Sequence, residues 1–286
     1  LLQNFAIFVN LGETDSPLPE ALEMILLFES EMEKHADLIR PVRSYADIEQ
    51  NQADGVMSAL LTGEEGEITM GNPDFLDFLY KLGMRMMTLT WNYENSLGFP
   101  NVRLDKKASA SSDRYCLSQN KGLKEQGIVF LEEMERLGMI IDVSHLSDAG
   151  FYDVLEHTTK PFVASHSNAR SVCPAVRNLT DDMVRRLAER GGITGINFCK
   201  EFLGKPDVSQ NYLDQAVVHM KYLMNLGGED FVALGSDFDG ITRYHDLSDC
   251  SVMPKLVHTM KKAGLTPTQI EKICYKNTLR VYRELL

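Results

Sequence analysis

Two histidines stand at the ends of two consecutive apolar runs of this chain. His145 closes the run 140–145, and His166 closes the run 162–166. Both runs are rich in β-branched residues and turn polar at the carboxyl end, where strands of α/β proteins meet their ligands. Two neutral imidazoles from neighbouring strands, joined by a carboxylate, make a divalent-metal site. One such histidine is a hydrogen-bonded buried residue about as often as it is a metal ligand, but two on consecutive strand ends favour metal binding.

Carboxylates follow two other apolar runs. Glu64 stands nearest the strand end in the acidic segment 63–67, although an acidic loop of this kind is usually only solvated. Asp237 lies between glycines in the segment 235–240. Two carboxylates there can simply shape a turn. Beside a metal, one of them would act as general base or acid.

The parity of the strands and the single tryptophan give two further expectations. Period-two alternation predicts that His145 and His166 point inward, and that Asp142, of opposite parity in its run, has a structural role. Trp91 directly follows the apolar run 86–90. A tryptophan is more often a packing residue, but at a barrel mouth Trp91 could form one wall of a substrate pocket.

A helix-then-strand unit recurs along the chain and positions these residues. Helical patterns end in Leu-Gly or Gly-Gly before four of the apolar runs. A glycine just past a helix adopts the left-handed cap, which predicts helix ends near Gly83, Gly138, Gly191-Gly192 and Gly227-Gly228. The spacing of apolar residues predicts a helix over 123–137 with one buried face.

Seven strands are predicted, near residues 5, 57, 87, 141, 163, 194 and 232. Strands that alternate with helices over this length indicate parallel βαβ units and an α/β fold. A closed (β/α)8 TIM-like barrel needs eight strands, so we expect the first to lie upstream of Leu1. The competing doubly wound sheet usually carries a glycine-rich phosphate turn, and no GxGxxG or GxxxxGK[ST] occurs. We expect a single catalytic barrel domain over residues 1–286.

Composition limits the partners. The chain has 29 Lys and Arg against 41 Asp and Glu, a net charge of −12, which disfavours nucleic acid. No apolar run is long enough to span a membrane. The five cysteines form no CxxC pair, which fits a reducing cytoplasm. The expected partners are therefore a small substrate and, at most, a second copy of the chain in a homodimer.

Six segments in chain order carry a resemblance to a known family: 60–66, 82–90, 141–145, 165–173, 177–178 and 234–240. They resemble the membrane dipeptidase (renal dipeptidase, peptidase M19) family over essentially the whole chain. The resemblance implies a (β/α)8 barrel with a two-zinc site that cleaves dipeptides. In some members of the family these dipeptides carry a D-residue at the C-terminal position.

The resemblance also implies roles for individual residues. Glu64 resembles the carboxylate that bridges the two zincs, and His145 and His166 resemble the two ligands of one zinc. Asp237 resembles the catalytic carboxylate. Arg177 resembles the residue that binds the terminal carboxylate of the substrate. Without the resemblance, we would expect an arginine there to form an ion pair at the surface or one that tethers a loop.

Two departures from the family pattern bear on the zinc and substrate sites. The first family strand supplies a His-x-Asp motif for the other zinc, and none stands before Phe5. Two zincs are thus expected per full-length chain, with one complete ligand set in the present sequence. The family often has a substrate-binding histidine at the position of Trp91, so polarisation of the scissile carbonyl is expected to differ here.

The function expected from the sequence is zinc-dependent hydrolysis of dipeptides by a metal-bridging hydroxide. Asp237 would carry the proton to the leaving amine, and Arg177 would restrict substrates to very short peptides. A different metal-dependent barrel hydrolase, acting on lactones or cyclic amides, is one alternative and does not need the arginine. A non-catalytic relative is the other alternative, and metal content would distinguish it from the enzymes.

Overall fold

The computed structural model describes residues 2–104, 115–117, 120–208, 211–244 and 246–286, with backbone alone at 103–104 and 115–117. These residues form two compact units. The first contains the chain up to Thr159 together with Tyr282–Leu286, and the second contains Lys160–Val281. Among the described residues, no helix combines the length and the apolar character needed to cross a membrane.

The first unit is built on parallel strands. Its strands are β1 (Leu2–Phe8), β2 (Ile39–Val42), β3 (Met57–Glu64), β4 (Met86–Thr88), the antiparallel pair β5 (Val102–Leu104) and β6 (Tyr115–Leu117), and β7 (Ile140–Asp142). The parallel order is β1-β3-β4-β7, with β2 also paired to β3. The register places Phe8, Glu64, Thr88 and Asp142 level with one another across these four strands. This row marks their carboxyl ends.

The helices of the first unit alternate with these strands along the chain. They are α1 (Pro17–Lys34), α2 (Tyr45–Ala53), α3 (Pro73–Lys81), α4 (Glu125–Leu137) and α5 (Asp148–His157), with a 3₁₀ turn at Gly66–Thr69. In α4, Phe130, Leu131 and Met134 are fully buried, which is the single face that the sequence predicts.

The second unit repeats the same alternation with very short strands. Its strands β8 (Val163–Ala164), β9 (Ile193–Ile196) and β10 (Val232–Leu234) are parallel and adjacent in that order. Its helices are α6 (Asp181–Glu189), α7 (Lys200–Leu203), α8 (Tyr212–Gly227), α9 (Met253–Lys262) and α10 (Pro267–Glu271), with a 3₁₀ turn at Cys250–Val252 and a π-helical turn at Lys272–Lys276. The last helix, α11 (Asn277–Leu285), begins in this unit, and its residues from Tyr282 onward belong to the first unit.

Backbones approach unusually closely at the carboxyl ends of these short strands. A Cβ atom at Gly235 would lie 1.9 Å from the carbonyl oxygen of Ser165, and one at Gly195 would lie 2.0 Å from the same oxygen. Both contacts are to main-chain atoms, which cannot retreat as a flexible side chain can. The segment that leads into His166 is therefore packed directly against two glycines.

The secondary structure follows the sequence expectations closely. Each of the seven predicted strands is present, as β1, β3, β4, β7, β8, β9 and β10. The glycines Gly83, Gly138, Gly191 and Gly228 all have positive φ, from 77° to 111°. The single-domain expectation stays a prediction.

The cysteines whose side chains are described carry no disulfide. Cys173, Cys199, Cys250 and Cys274 are free. The side chain of Cys116 lies outside the described residues.

Candidate functional site

Glu64 and His145 meet at the carboxyl ends of the strands of the first unit. Glu64 is the last residue of β3, and its Oε1 lies 3.2 Å from Nε2 of His145. The two side chains are 18% and 8% exposed. Two ligands, each about 2.1 Å from a tetrahedral zinc, lie about 3.4 Å apart. The pair therefore has the spacing of two ligands of one ion.

A turn, and not the strand, directs the side chain of His145. β7 ends at Asp142, and His145 has a left-handed backbone with φ of 69°. Its carbonyl oxygen accepts a hydrogen bond from the N–H of Asn101 at 2.7 Å. Period-two alternation ends with the strand, so the parity argument for the inward direction of His145 was wrong. The turn after β7 brings the ring to Glu64 instead.

Asn92 orients the imidazole of His145. The amide oxygen of Asn92 lies 3.0 Å from Nδ1 of His145. Because that oxygen can only accept, Nδ1 carries a proton, and Nε2, on the side of Glu64, is the nitrogen that a metal would use. An outer hydrogen bond of this kind is the usual way to fix the tautomer of a metal-binding histidine.

Glu65, the neighbouring carboxylate, belongs to the scaffold of the loop. It is fully buried and accepts hydrogen bonds from the N–H groups of Glu67 and Trp91 and from the amide of Asn95. Burial raises its pKa to about 7. These contacts tie the loop after β3 to the loop after β4, and they favour Glu64 over Glu65 as the candidate ligand.

Asp142 is a buried residue with the structural role that the sequence predicts. One carboxylate oxygen accepts from the hydroxyl of Thr88 at 2.7 Å, and the other accepts from the N–H of Ser144 at 3.0 Å. Asp142 thereby fastens β7 to β4 and shapes the turn that leads to His145.

Trp91 belongs to a cluster of aromatic rings beside His145. Its ring meets Phe8 edge to face at 4.8 Å between centroids, and Tyr93 lies at 5.9 Å. The ring of His145 is 6.3 Å from that of Trp91. Phe8 is 37% exposed although it is level with Glu64 in the sheet register. An accessible aromatic surface therefore borders the candidate ligands.

In the second unit, His166 follows β8 and is 8% exposed. Its Nδ1 lies 2.7 Å from the hydroxyl oxygen of Ser165. β8 ends at Ala164, so the strand alternation also stops before this histidine. The hydroxyl of Ser165 therefore contacts Nδ1, and Nε2 is the ring nitrogen that points away from this hydroxyl.

Asp237 stands after β10 in a left-handed backbone conformation. Its φ is 62°, in the left-handed region that few residues other than glycine adopt, and Asp239 repeats the feature at 71°. Its Oδ2 accepts a hydrogen bond of 2.9 Å from the side-chain amide of Asn197. Non-glycine residues in this region concentrate at functional sites.

Arg177 is buried and not a surface residue. It is 4% exposed, and its guanidinium lies 3.5 Å from the hydroxyl of Ser167 and 3.5 Å from the carbonyl oxygen of His166. The ring of Phe202 packs beneath it at 5.3 Å. A guanidinium held against the main chain of a candidate metal ligand can grip an anionic group of a substrate.

Glu64 and His145 in the first unit, and His166 in the second unit, each offer one oxygen or nitrogen ligand atom. Two imidazoles and one glutamate are a known ligand set of catalytic zinc, with the fourth position left open for water. The donor chemistry therefore fits a divalent metal.

Asn92 and Asn197 are the two contacts of the site that sequence reasoning missed. Asn197 is the first polar residue after the apolar run 193–196, so the strand-end rule that singled out His145 and His166 would also have found it. Asn92 directly follows Trp91, but no local pattern reveals its pairing with a histidine 53 positions later.

Comparison with known proteins gives a consistent result. The model of the family described as membrane dipeptidase (peptidase family M19) matches residues 2–285. The chain is 36% identical over 253 residues to an uncharacterised protein of the pqqA 5′ region of Klebsiella pneumoniae, covering 87% of this chain and 90% of that protein. It is 35% identical over 207 residues to an uncharacterised dipeptidase of Schizosaccharomyces pombe, covering 72% of this chain and 47% of that protein. The chain thus spans about half the length of the yeast relative.

Solved structures agree. A metallopeptidase of family M19, dipeptidase AC, superimposes with a TM-score of 0.86 at 29% identity and covers 99% of this chain and 85% of its own. A metallopeptidase from Rhodobacter sphaeroides, bound to a phosphinate mimic of the dipeptide L-Ala-D-Ala, gives 0.86 at 27% identity, with 99% and 86% coverage. The TIM-like (β/α)8 fold class that the sequence predicts is confirmed.

Proposed function

This chain belongs to the membrane dipeptidase family, peptidase M19, whose members are metallopeptidases that cleave dipeptides, and we propose that it hydrolyses dipeptides at a zinc centre. The observation that supports this most is the 3.2 Å approach of Glu64 to Nε2 of His145, with the histidine tautomer set by Asn92. We propose that the catalytic domain spans residues 1–286.

We propose that Glu64, His145 and His166 together hold one zinc, and that Glu64 also serves a second zinc in the full-length protein. A zinc held in this way would lower the pKa of a bound water toward 7, so that a hydroxide would be available at neutral pH. The Nδ1 contacts to Asn92 and to Ser165 keep the two rings oriented for ligation.

Asp237 is the proposed proton carrier. Its carboxylate takes the proton of the attacking water and delivers it to the leaving amine. It is half-buried, and one of its oxygens is held by the amide of Asn197, which leaves the other for proton transfer.

Arg177 is the proposed receptor for the terminal carboxylate of the substrate. Its buried guanidinium, seated on Phe202, can make two parallel hydrogen bonds to a carboxylate. A carboxylate receptor excludes longer peptides from productive binding, since their free carboxylate lies beyond the second residue. A lactonase needs no such receptor, and this favours the dipeptidase over that alternative.

We further propose that Trp91, with Phe8 and Tyr93, binds an apolar side chain of the dipeptide. The ring of Trp91 contacts those of Phe8 and Tyr93, and Phe8, which is level with Glu64 in the sheet, is 37% exposed. Trp91→Ala is expected to lower kcat/KM for a dipeptide of leucine about tenfold, because the leucine side chain loses the apolar ring against which it would be buried. The value for diglycine should change little; equal losses for both substrates would contradict this role.

The stereochemistry and the setting of the reaction are also proposals. The relative from Rhodobacter sphaeroides binds a mimic of L-Ala-D-Ala, which supports acceptance of a D-residue at the C-terminal position. Four free cysteines support a reducing compartment such as the cytoplasm. We propose a homodimer as the assembly, to be tested by light scattering.

The central experiment measures metal content and hydrolysis in one preparation of the full-length protein. We expect bound zinc, cleavage of L-Ala-L-Ala and L-Ala-D-Ala, and loss of activity with a chelator that zinc restores. Asp237→Asn should retain the metal while turnover falls about 10²-fold or more, the scale of lost acid–base catalysis. His145→Ala should lose metal and activity together.

Each contrary outcome has a distinct meaning. A purified protein with almost no metal affinity would point to a non-catalytic relative. A metal-loaded protein that opens lactones but leaves dipeptides intact would point to the other class of hydrolase. Full turnover in Asp237→Asn would remove Asp237 from the role of proton carrier.

A further inference from the structure

Asn197 is a buried amide that contacts two parts of the candidate site at once. It follows β9 directly and is fully buried. Its side-chain oxygen accepts a hydrogen bond from the N–H of Cys199 at 2.7 Å, so its nitrogen must face the other way. That nitrogen lies 2.9 Å from Oδ2 of Asp237 and 3.3 Å from the carbonyl oxygen of His166. The backbone donor thus sets the orientation of the amide.

A second asparagine clamps the main chain of Asn197. The side-chain oxygen of Asn168 accepts from the N–H of Asn197, and its side-chain nitrogen donates to the carbonyl oxygen of Asn197, both at 2.9 Å. Asn168 is in turn held by Asn178, because the backbone N–H of Asn168 donates to the side-chain oxygen of Asn178 at 3.2 Å. All three asparagines are buried. Asn197 therefore has no freedom to turn away from Asp237.

Asp237, in contrast, has few constraints of its own. It lies in a loop after a strand of three residues and is only half-buried. Its other oxygen, Oδ1, faces Gly240, where a Cβ atom would come within 2.4 Å of it. The absence of a side chain at 240 gives room to Oδ1, while the amide of Asn197 holds Oδ2.

We propose that Asn197 is a positioning residue that fixes the carboxylate of Asp237 in its proton-accepting orientation and couples it to the main chain at His166. The proposal rests on the proposed function, in which Asp237 carries the proton. A neutral amide suits this role because it stabilises a carboxylate through a charge-assisted hydrogen bond without adding a competing charge. Misplacement of a catalytic group by about 1 Å can cost about 10²-fold in rate.

The test compares single and double variants of the zinc-loaded full-length protein. Asn197→Ala should lower kcat for L-Ala-L-Ala about 10- to 100-fold and change KM less than about twofold. In an Asp237→Asn background, the same change should lower kcat by less than about twofold. This non-additivity is the signature of a residue that acts through Asp237.

Asn277→Ala is the matched control. Asn277 is equally buried and donates both amide hydrogens to carbonyl oxygens, those of Glu229 at 2.9 Å and Val232 at 2.8 Å, at the amino end of β10. It should lower the melting temperature about as much as Asn197→Ala does. Its kcat should stay within about twofold of the wild-type value.

The outcomes separate the inference from the function on which it rests. Hydrolysis that persists at the wild-type rate in Asn197→Ala would overturn the inference alone. So would an equal, additive loss in the Asp237→Asn background, or an equal loss of kcat in Asn277→Ala, since either would show a general structural effect. A wild-type protein that binds zinc but cleaves no dipeptide would overturn the proposed function and this inference with it.

Discussion

We expect His219, a buried histidine, to make the stability of this protein depend on pH. It lies on α8, is fully buried, and uses both ring nitrogens. Nδ1 accepts from the N–H of Ala169 at 3.1 Å, and Nε2 donates to the carbonyl oxygen of Leu203 at 2.9 Å. Burial lowers its pKa from 6.5 to about 4. The neutral ring thus ties the segment after His166 to α8.

The sign and size of the effect follow from the two pKa values of His219. Above pH 6.5 neither the folded nor the unfolded chain protonates this ring. Below pH 6.5 the unfolded chain takes up the proton first, so unfolding becomes easier as the pH falls toward 4. At 1.36 kcal/mol for each pKa unit, protonation of His219 lowers the free energy of unfolding of the wild type by about 2.5 kcal/mol at pH 4.5. The variant His219→Gln does not lose this free energy. That corresponds to about 5–10 °C in melting temperature.

The assay is calorimetric unfolding of the wild type and of His219→Gln between pH 7.5 and 4.5. Glutamine can donate and accept a hydrogen bond but does not titrate. Other groups, including Glu65 with its raised pKa, are common to both proteins and cancel in the difference. We expect the difference in melting temperature to shift in favour of the variant as the pH falls. Parallel pH curves for the two proteins would refute the reasoning.

Three further predictions concern the site and its support. Asn92→Ala should weaken zinc binding about 10- to 100-fold in a chelator competition, because an oriented ligand is lost; unchanged affinity would contradict the role of Asn92. Gly235→Ala should lower the free energy of unfolding by about 3 kcal/mol in denaturant titration, since its Cβ would meet the oxygen of Ser165. Gly264→Ala, in open space at φ of 87°, should cost only about 1 kcal/mol. Arg177→Lys should raise KM for dipeptides about tenfold with kcat retained, because lysine cannot grip a carboxylate with two parallel bonds; an unchanged KM would exclude Arg177 as the receptor.

Seven strands were predictable because each contains a short apolar run, and four of these runs follow a glycine-ended helix. β2 was not predicted, and its sequence explains why. Its residues Ile39–Val42 include an arginine and a proline, and three of the four are only partly buried. It forms because Ile39 pairs with Met57 and Val42 with Leu60 along β3. A strand that depends on its partner leaves no periodic signal in its own sequence.

The candidate site was predictable by residue type but not by geometry. Strand-end position singled out Glu64 and His145, whereas Asp237 was chosen over Asp239 only through the family resemblance. The directions of His145 and Asp237 come from left-handed turns, which alternation along a strand does not describe. Their partners Asn92 and Asn197 lie 53 and 40 positions away in the sequence, and local patterns carry no information on pairs so far apart.

The left-handed backbone at His145 and Asp237 limits which substitutions these two positions tolerate. Histidine, aspartate, asparagine and glycine tolerate that conformation, whereas valine, isoleucine and threonine are strained in it. Each position therefore meets two separate requirements: the residue must adopt the left-handed backbone, and its side chain must perform the chemistry. A library selected only for folding would keep a small polar set and glycine at 145 and 237. Selection for hydrolysis would then narrow that set, so a relative that abandoned catalysis has asparagine or glycine at 237 as its easiest replacement.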